Sequence, residues 1–225
     1  MDFLYEVGHF FFRLVTDTGH ELDMLVSQYG VWAYAILFLI IFCETGLVVT
    51  PFLPGDSLLF LAGAIAVRPE NPLHIYWLAG LLILAAILGD STNYMIGRFF
   101  GRTLFNNPNS KIFKQKYLEK TNEFYKKHGR KTIILARFVP IVRTFSPFVA
   151  GMGKMKYKRF ITFSVLGGIL WVGLFTALGA LIGRMPWIEK NLDKVVIIII
   201  FVSILPAIYE FLKAKFPGIF GVRRL

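Results

Sequence analysis

TPFLPG at residues 50–55 and SPFVAG at residues 146–151 share one pattern: hydroxyl, Pro, Phe, aliphatic, small, Gly. Each interrupts a strongly apolar segment and has charges close by. Glu44 and Asp56 flank the first, and Arg137 and Arg143 precede the second. Proline lacks an amide hydrogen and breaks helices, and glycine relaxes the backbone. A helix broken at membrane depth exposes backbone polar groups, which persist only where protein buries them or a wet cavity receives them. Two broken apolar segments carrying opposite charges therefore mark a candidate site. The expected hairpin tips are Pro51, Pro54 and Gly55 in the first segment, and Pro140, Pro147 and Gly151 in the second.

Composition agrees with a membrane setting. Of 225 residues, 56% are hydrophobic and only 17% charged, and mean hydropathy is +0.60. A soluble domain of this size needs more polar surface. Residues 31–43, 75–88, 160–183 and 195–208 are nearly free of charge, and several approach the roughly 20 residues that cross a bilayer. The single cysteine, Cys43, excludes an intramolecular disulfide. The first 30 residues lack a basic start followed by an apolar core, so a cleavable signal peptide is not expected. The four histidines have no metal-ligand spacing, and no nucleophile, Walker or zinc motif occurs. No cofactor, metal or enzymatic role is expected. The net charge of +11 comes without a stacking or groove-reading motif, which argues against nucleic acid.

The chain divides into three parts. Residues 1–29 mix apolar residues with five acids and predict an amphipathic interfacial helix. Residues 30–185 form the membrane domain, with re-entrant hairpins at about 31–67 and 132–153 and spans at about 74–97 and 160–183. Residues 186–225 hold a last span and a basic tail. Between the hairpins, residues 98–131 carry ten Lys and Arg against two acids, and Gly129 is placed to cap a helix there. The positive-inside rule sets this loop, residues 154–159 and the tail in the cytoplasm, and leaves the acidic N-terminus outside. The expected fold is all-α and polytopic: hairpin plus span, repeated with opposite orientation, as in inverted-repeat transporters. The TPFLPG and SPFVAG copies lie 96 residues apart, and IGR recurs at 96–98 and 182–184.

Glu44, Asp56, Asp90, Arg137 and Arg143 fall within apolar segments. An unpaired charge at the bilayer centre costs at least about 2.5 to 3.5 kcal/mol, so such residues pair, line water or bind a charged ligand. Guanidinium stays charged and matches phosphate oxygens with two parallel bonds. Arg137 and Arg143 are therefore assigned to an anionic group, with a break at Pro140 turning both towards one cavity. Glu44, Asp56 and Asp90 are assigned to proton coupling. A closed salt-bridge network holding the hairpins together is the bland alternative, in which Asn93 and Tyr94 could simply satisfy Asp90.

ETGLVVTPFLPGDSLLF (Glu44 to Phe60), GDSTNYMIGRFFG (Gly89 to Gly101) and KKHGRKTIILARFVPIVRTFSPFVAGMGKM (Lys126 to Met155) resemble the DedA family, also called the VTT or SNARE-associated domain family. The likeness is greatest to its enterobacterial members and implies a Gram-negative inner membrane. It implies lipid translocation, with Glu44 and Asp56 as the family's acidic pair and Arg137 and Arg143 as its arginine pair. The implied activity is a flippase returning undecaprenyl phosphate from outer to inner leaflet, in service of the cell envelope, and the family's link to the proton motive force implies coupling to protons. The alternatives are a phosphatidylethanolamine or other glycerophospholipid scramblase, and a proton-dependent exporter. The expected partners are this anionic lipid, membrane phospholipids and protons; a homo-oligomer stays open.

The topology is testable with Cys43 replaced and single cysteines placed at Asn71 and Asn109. An impermeant reagent is expected to label them from opposite sides of the membrane. Labelling from one side contradicts the two-orientation arrangement.

Overall fold

The computed structural model describes residues 30–47, 55–68, 73–105 and 129–183, with Glu119, Thr121, Glu123, Tyr125, Met185, Lys194 and Ile198. The expected helix over 1–29, most of the basic loop and most of the last span with its tail lie outside these residues. All regular structure among the described residues is helical. The first broken segment gives α1 (Trp32–Gly46) and α2 (Gly55–Ala66). The first long helix is α3 (Ile75–Phe105). A turn of 3-10 helix at Gly129–Lys131 leads into the short α4 (Thr132–Ala136), then α5 (Pro140–Met152) and the long α6 (Tyr157–Ile182).

Among the described residues, two helices are long and apolar enough to cross a membrane: Ile75–Gly101 within α3, with mean hydropathy 1.7, and α6, with 2.2. α1 and α2 are apolar but have only 15 and 12 residues, short of the roughly 20 that a crossing needs. Exposed aromatic residues mark both ends of α3: Tyr76 and Trp77 at its start, Phe99 and Phe100 near its finish. At 1.5 Å per residue, Trp77 and Phe99 stand about 33 Å apart, close to the roughly 30 Å of a bilayer's hydrocarbon core, at whose edges aromatic residues collect. The second end is also basic, with Lys154, Lys156, Lys158 and Arg159 exposed.

The short helices enter from opposite ends. α1 runs alongside α3 in the same direction. The His74 amide donates to the Tyr34 hydroxyl at 2.7 Å at the aromatic end, and Thr45 meets Gly89 near mid-length. α2 turns back from there, its first residue Gly55 set against the Glu44 carboxylate. α4 starts near the basic end, where Ile133 packs with Tyr94 and Phe160. The chain then reaches Arg137 beside Gly167. α5 returns along α3, with Thr144 bonded to Asn93 and Phe148 and Met152 against Gly97 and Gly101. In each hairpin the first arm packs on its own long helix, α1 on α3 and α4 on α6. The second arm packs on the other one, α2 on α6 and α5 on α3.

Backbone chemistry explains the second break. Val139 is extended, at φ −121° and ψ 104°, because the residue before a proline is pushed out of the helical region. Pro140 then opens α5 at a position where no amide hydrogen is needed. Gly129, at φ +59°, adopts the left-handed backbone of the expected cap.

The glycine contacts pair the two segments in a different register from the one that TPFLPG and SPFVAG imply. Pro51 and Pro54 lie outside the described residues, and Gly55 sits at the first break as expected. Pro147 and Gly151 are not at a tip. Both lie inside α5, and the second break is at residues 137–139. FVAG at 148–151 is a packing surface: an added Cβ at Gly151 falls 2.0 Å from the Tyr94 carbonyl, and one at Gly97 falls 2.1 Å from the Phe148 carbonyl. FLAG at 60–63 makes the same contact on α6. A Cβ at Gly63 falls 2.2 Å from the Thr176 carbonyl, and one at Gly179 falls 1.9 Å from that of Phe60. Phe60 and Gly63 thus correspond to Phe148 and Gly151, and Gly179 rather than Gly183 corresponds to Gly97.

These contacts are between backbones and cannot yield as a flexible side chain would. Gly97→Ala and Gly179→Ala are each expected to cost about 1–3 kcal/mol or more through overpacking. Gly80→Ala and Gly173→Ala, with nothing within 4 Å, are expected to be neutral or mildly stabilising. Thermal unfolding in detergent checks this, and equal effects at all four positions contradict the packing.

Candidate functional site

Three of the five charged residues stand at the broken ends of short helices. Glu44 is in the last turn of α1, Asp56 in the first turn of α2 and Arg143 in the first turn of α5. The guanidinium of Arg143 bridges the two acids. Its Nη1 donates to Asp56 Oδ1 at 2.8 Å and its Nη2 to Glu44 Oε1 at 2.6 Å. One rigid fork thus ties both arms of the first hairpin to the second, with the geometry that suits guanidinium to two oxygens. The N-terminus of α2 adds a favourable field for the Asp56 charge. The second carboxylate oxygen of Glu44, Oε2, is buried without a hydrogen-bond partner.

Arg137 and Asp90 form a separate pair. Arg137 Nη2 donates to Asp90 Oδ2 at 2.5 Å, and the Ser164 hydroxyl donates to the same oxygen at 2.6 Å. Both side chains are buried, which demands such pairing. Asn93 and Tyr94, the alternative partners for Asp90, turn elsewhere. Asn93 Nδ2 donates to the carbonyls of Thr45 at 3.1 Å and Thr144 at 2.8 Å, joining the residues next to Glu44 and Arg143. The Tyr94 hydroxyl donates to the Met155 carbonyl and accepts from Arg98. The Tyr125 hydroxyl, from the segment between the hairpins, donates to the Ser146 carbonyl at 3.0 Å. Burial raises its pKa, which keeps the donating proton in place.

Trp171 connects the two pairs. Its Nε1 donates to Asp56 Oδ1 at 2.8 Å. The guanidinium carbons of Arg137 and Arg143 lie over its ring, 5.5 and 5.7 Å from the centroid, within cation–π range. It is fully buried near the middle of α6. Both arginines thus reach the ring of Trp171, but they take different acids there.

The sequence reading missed Trp171, Ser164 and the role of Asn93. Trp171 carried a signal: a tryptophan deep in an apolar span, away from the interfaces where such residues collect. A lone serine in an apolar run, as at Ser164, carries almost none.

Residues 53–181 match the family model described as the VTT domain, a range that takes in Asp56, Asp90, Arg137, Arg143 and Trp171. The chain belongs to the DedA family. It is 56% identical over 215 residues to Protein DedA of Escherichia coli (strain K12), covering 96% of both chains. It is 43% identical to the uncharacterized membrane protein Rv0364 of Mycobacterium tuberculosis (strain ATCC 25618 / H37Rv), over 80% of each chain. It is 34% identical to the inner membrane protein YqjA of E. coli (strain K12), over 72% of each. No solved structure matches. The apolar helices and these inner-membrane relatives together support an inner-membrane location for this DedA-family chain.

Breaking one member of a buried pair strands the other, at about 3–5 kcal/mol. Arg137→Gln and Asp90→Asn are each expected to lower the unfolding temperature in detergent sharply. The double variant is expected to be more stable than either single one. Additive losses contradict a coupled pair.

Proposed function

We propose that this protein is a lipid translocase of the inner membrane that carries undecaprenyl phosphate from the outer to the inner leaflet, with protons moving alongside. The observation that carries this reading is Arg143 holding Glu44 and Asp56 at the broken ends of three short helices. The two hairpins are re-entrant in this reading and form an inverted repeat with the long helices. The exchanged packing of their second arms supports it, as do their openings at opposite ends. Broken helices meeting between two inverted halves are where transporters place their substrate. A phosphate group competes with carboxylates for the same guanidinium, because both offer paired oxygens. The lipid tail stays in the bilayer while the head passes between the hairpins. When the head takes Arg143, Glu44 and Asp56 lose their counter-charge, and protons taken up from outside replace it. As the head leaves, the acids regain the arginine and the protons pass inside. The long tail and single phosphate of the lipid suit a site with few cations, and the family resemblance implies lipid translocation.

The test is purified protein in liposomes with a leaflet-resolved assay of several lipids. Wild-type protein is expected to move the polyprenyl phosphate faster than phosphatidylethanolamine. Arg143→Lys is expected to lower the rate about tenfold, because a point ammonium lacks the planar fork. Glu44→Gln and Asp56→Asn are expected to weaken the dependence on pH and proton gradient more than lipid binding. Full wild-type dependence in those variants contradicts coupling. Equal movement of all lipids contradicts the choice of lipid.

A further inference from the structure

The two arginines are held at different depths. On α6, Ser164 serves the Arg137–Asp90 pair and Trp171 serves the Arg143–Asp56 pair. These positions are two helical turns apart, about 10 Å along the axis. α6 starts at the basic end, so the Arg137 pair lies nearer that end.

Their hydrogen-bonding states also differ. Arg143 has Nη1 and Nη2 on carboxylates from both arms of the first hairpin. Arg137 gives Nη2 to Asp90 and keeps a buried Nε–H with no partner. A buried donor left unpaired carries its desolvation cost until an acceptor arrives. Arg137 can thus take a phosphate oxygen without giving up its ion pair. Arg143 must first let a carboxylate go.

Trp171 touches both. A ring face stabilises each guanidinium without using its N–H groups, so those stay available to a phosphate. The indole N–H holds Asp56 in place when Arg143 turns to another anion. Resting on the translocation reading above, we infer that Arg143 and Arg137 are successive seats for a lipid phosphate, outer then inner, and that Trp171 is the positioning residue for the passage between them. The two are not halves of one clamp. In the state seen here the outer seat is closed by carboxylates and the inner seat holds the spare donor.

The test uses the full chain in nanodiscs and a radiolabelled short polyprenyl monophosphate, with turnover measured in liposomes. Arg137→Lys is expected to weaken equilibrium binding at least tenfold, and Arg143→Lys less than threefold, while both lower turnover. Trp171→Leu is expected to keep binding within threefold of wild type and to lower turnover at least tenfold. Trp171→Phe, which keeps a ring, is expected to regain most of that loss. Equal binding losses in the two lysine variants overturn the order of seats, and normal turnover in Trp171→Leu overturns the passage. A lysine variant that does not fold is replaced by Arg137→Gln with Asp90→Asn, or Arg143→Gln with Glu44→Gln, each of which keeps the net charge of the cluster. Wild-type binding without turnover removes translocation alone, since the order of seats is read from binding.

Discussion

Charges and broken helix ends at bilayer depth must find their partners inside the protein, because lipid offers none. That constraint orders the structure. Arg143 can satisfy Glu44 and Asp56 together only if α1, α2 and α5 all end at the same level. Asn93 then fixes the chain beside Glu44 and beside Arg143 through one side-chain amide. The level is held by close backbone contacts, Gly97 on Phe148 and Gly179 on Phe60, which set each second arm on the opposite long helix. Loss of the ion pairs leaves buried charge; loss of the glycines leaves the arms unable to approach. Neither feature can be relaxed alone.

Much of this was legible from the residues. Apolar runs gave the long helices, α3 and α6, although both begin or end several residues beyond the expected spans. Pro140 and Gly55 marked the breaks because their effect on the backbone is local. Pro147 misled because a proline can stay inside a helix, and its neighbours serve packing rather than a turn. The matching motif was FLAG with FVAG, and its meaning lay in what each glycine touches, which no linear pattern shows. The charged set was legible from the cost of charge in lipid. Its division into Arg143 with Glu44 and Asp56, and Arg137 with Asp90, was not. That division depends on Ser164 and Trp171 sharing one face of α6 two turns apart, each serving a different acid.

The cluster has three acids for two arginines, and its unsatisfied atoms are one carboxylate oxygen and one guanidinium N–H among the charged groups. A network built only for rigidity has no need of either. The spare acceptor lies in the Arg143 tier and the spare donor in the Arg137 tier, so the two tiers are poised for different partners. In the proposed cycle a proton takes the first, and an anion oxygen takes the second. Trp171 lies between these roles, bonded to an acid by its edge and set beneath both cations by its face.

The account turns on competition between a lipid phosphate and carboxylates for arginine. Infrared difference spectroscopy of the protein in bilayers, before and after addition of a polyprenyl phosphate, tests that most directly. Displacement predicts a change in carboxylate and carboxylic-acid bands that disappears in Glu44→Gln with Asp56→Asn. Bound lipid with unchanged bands from these acids would contradict it.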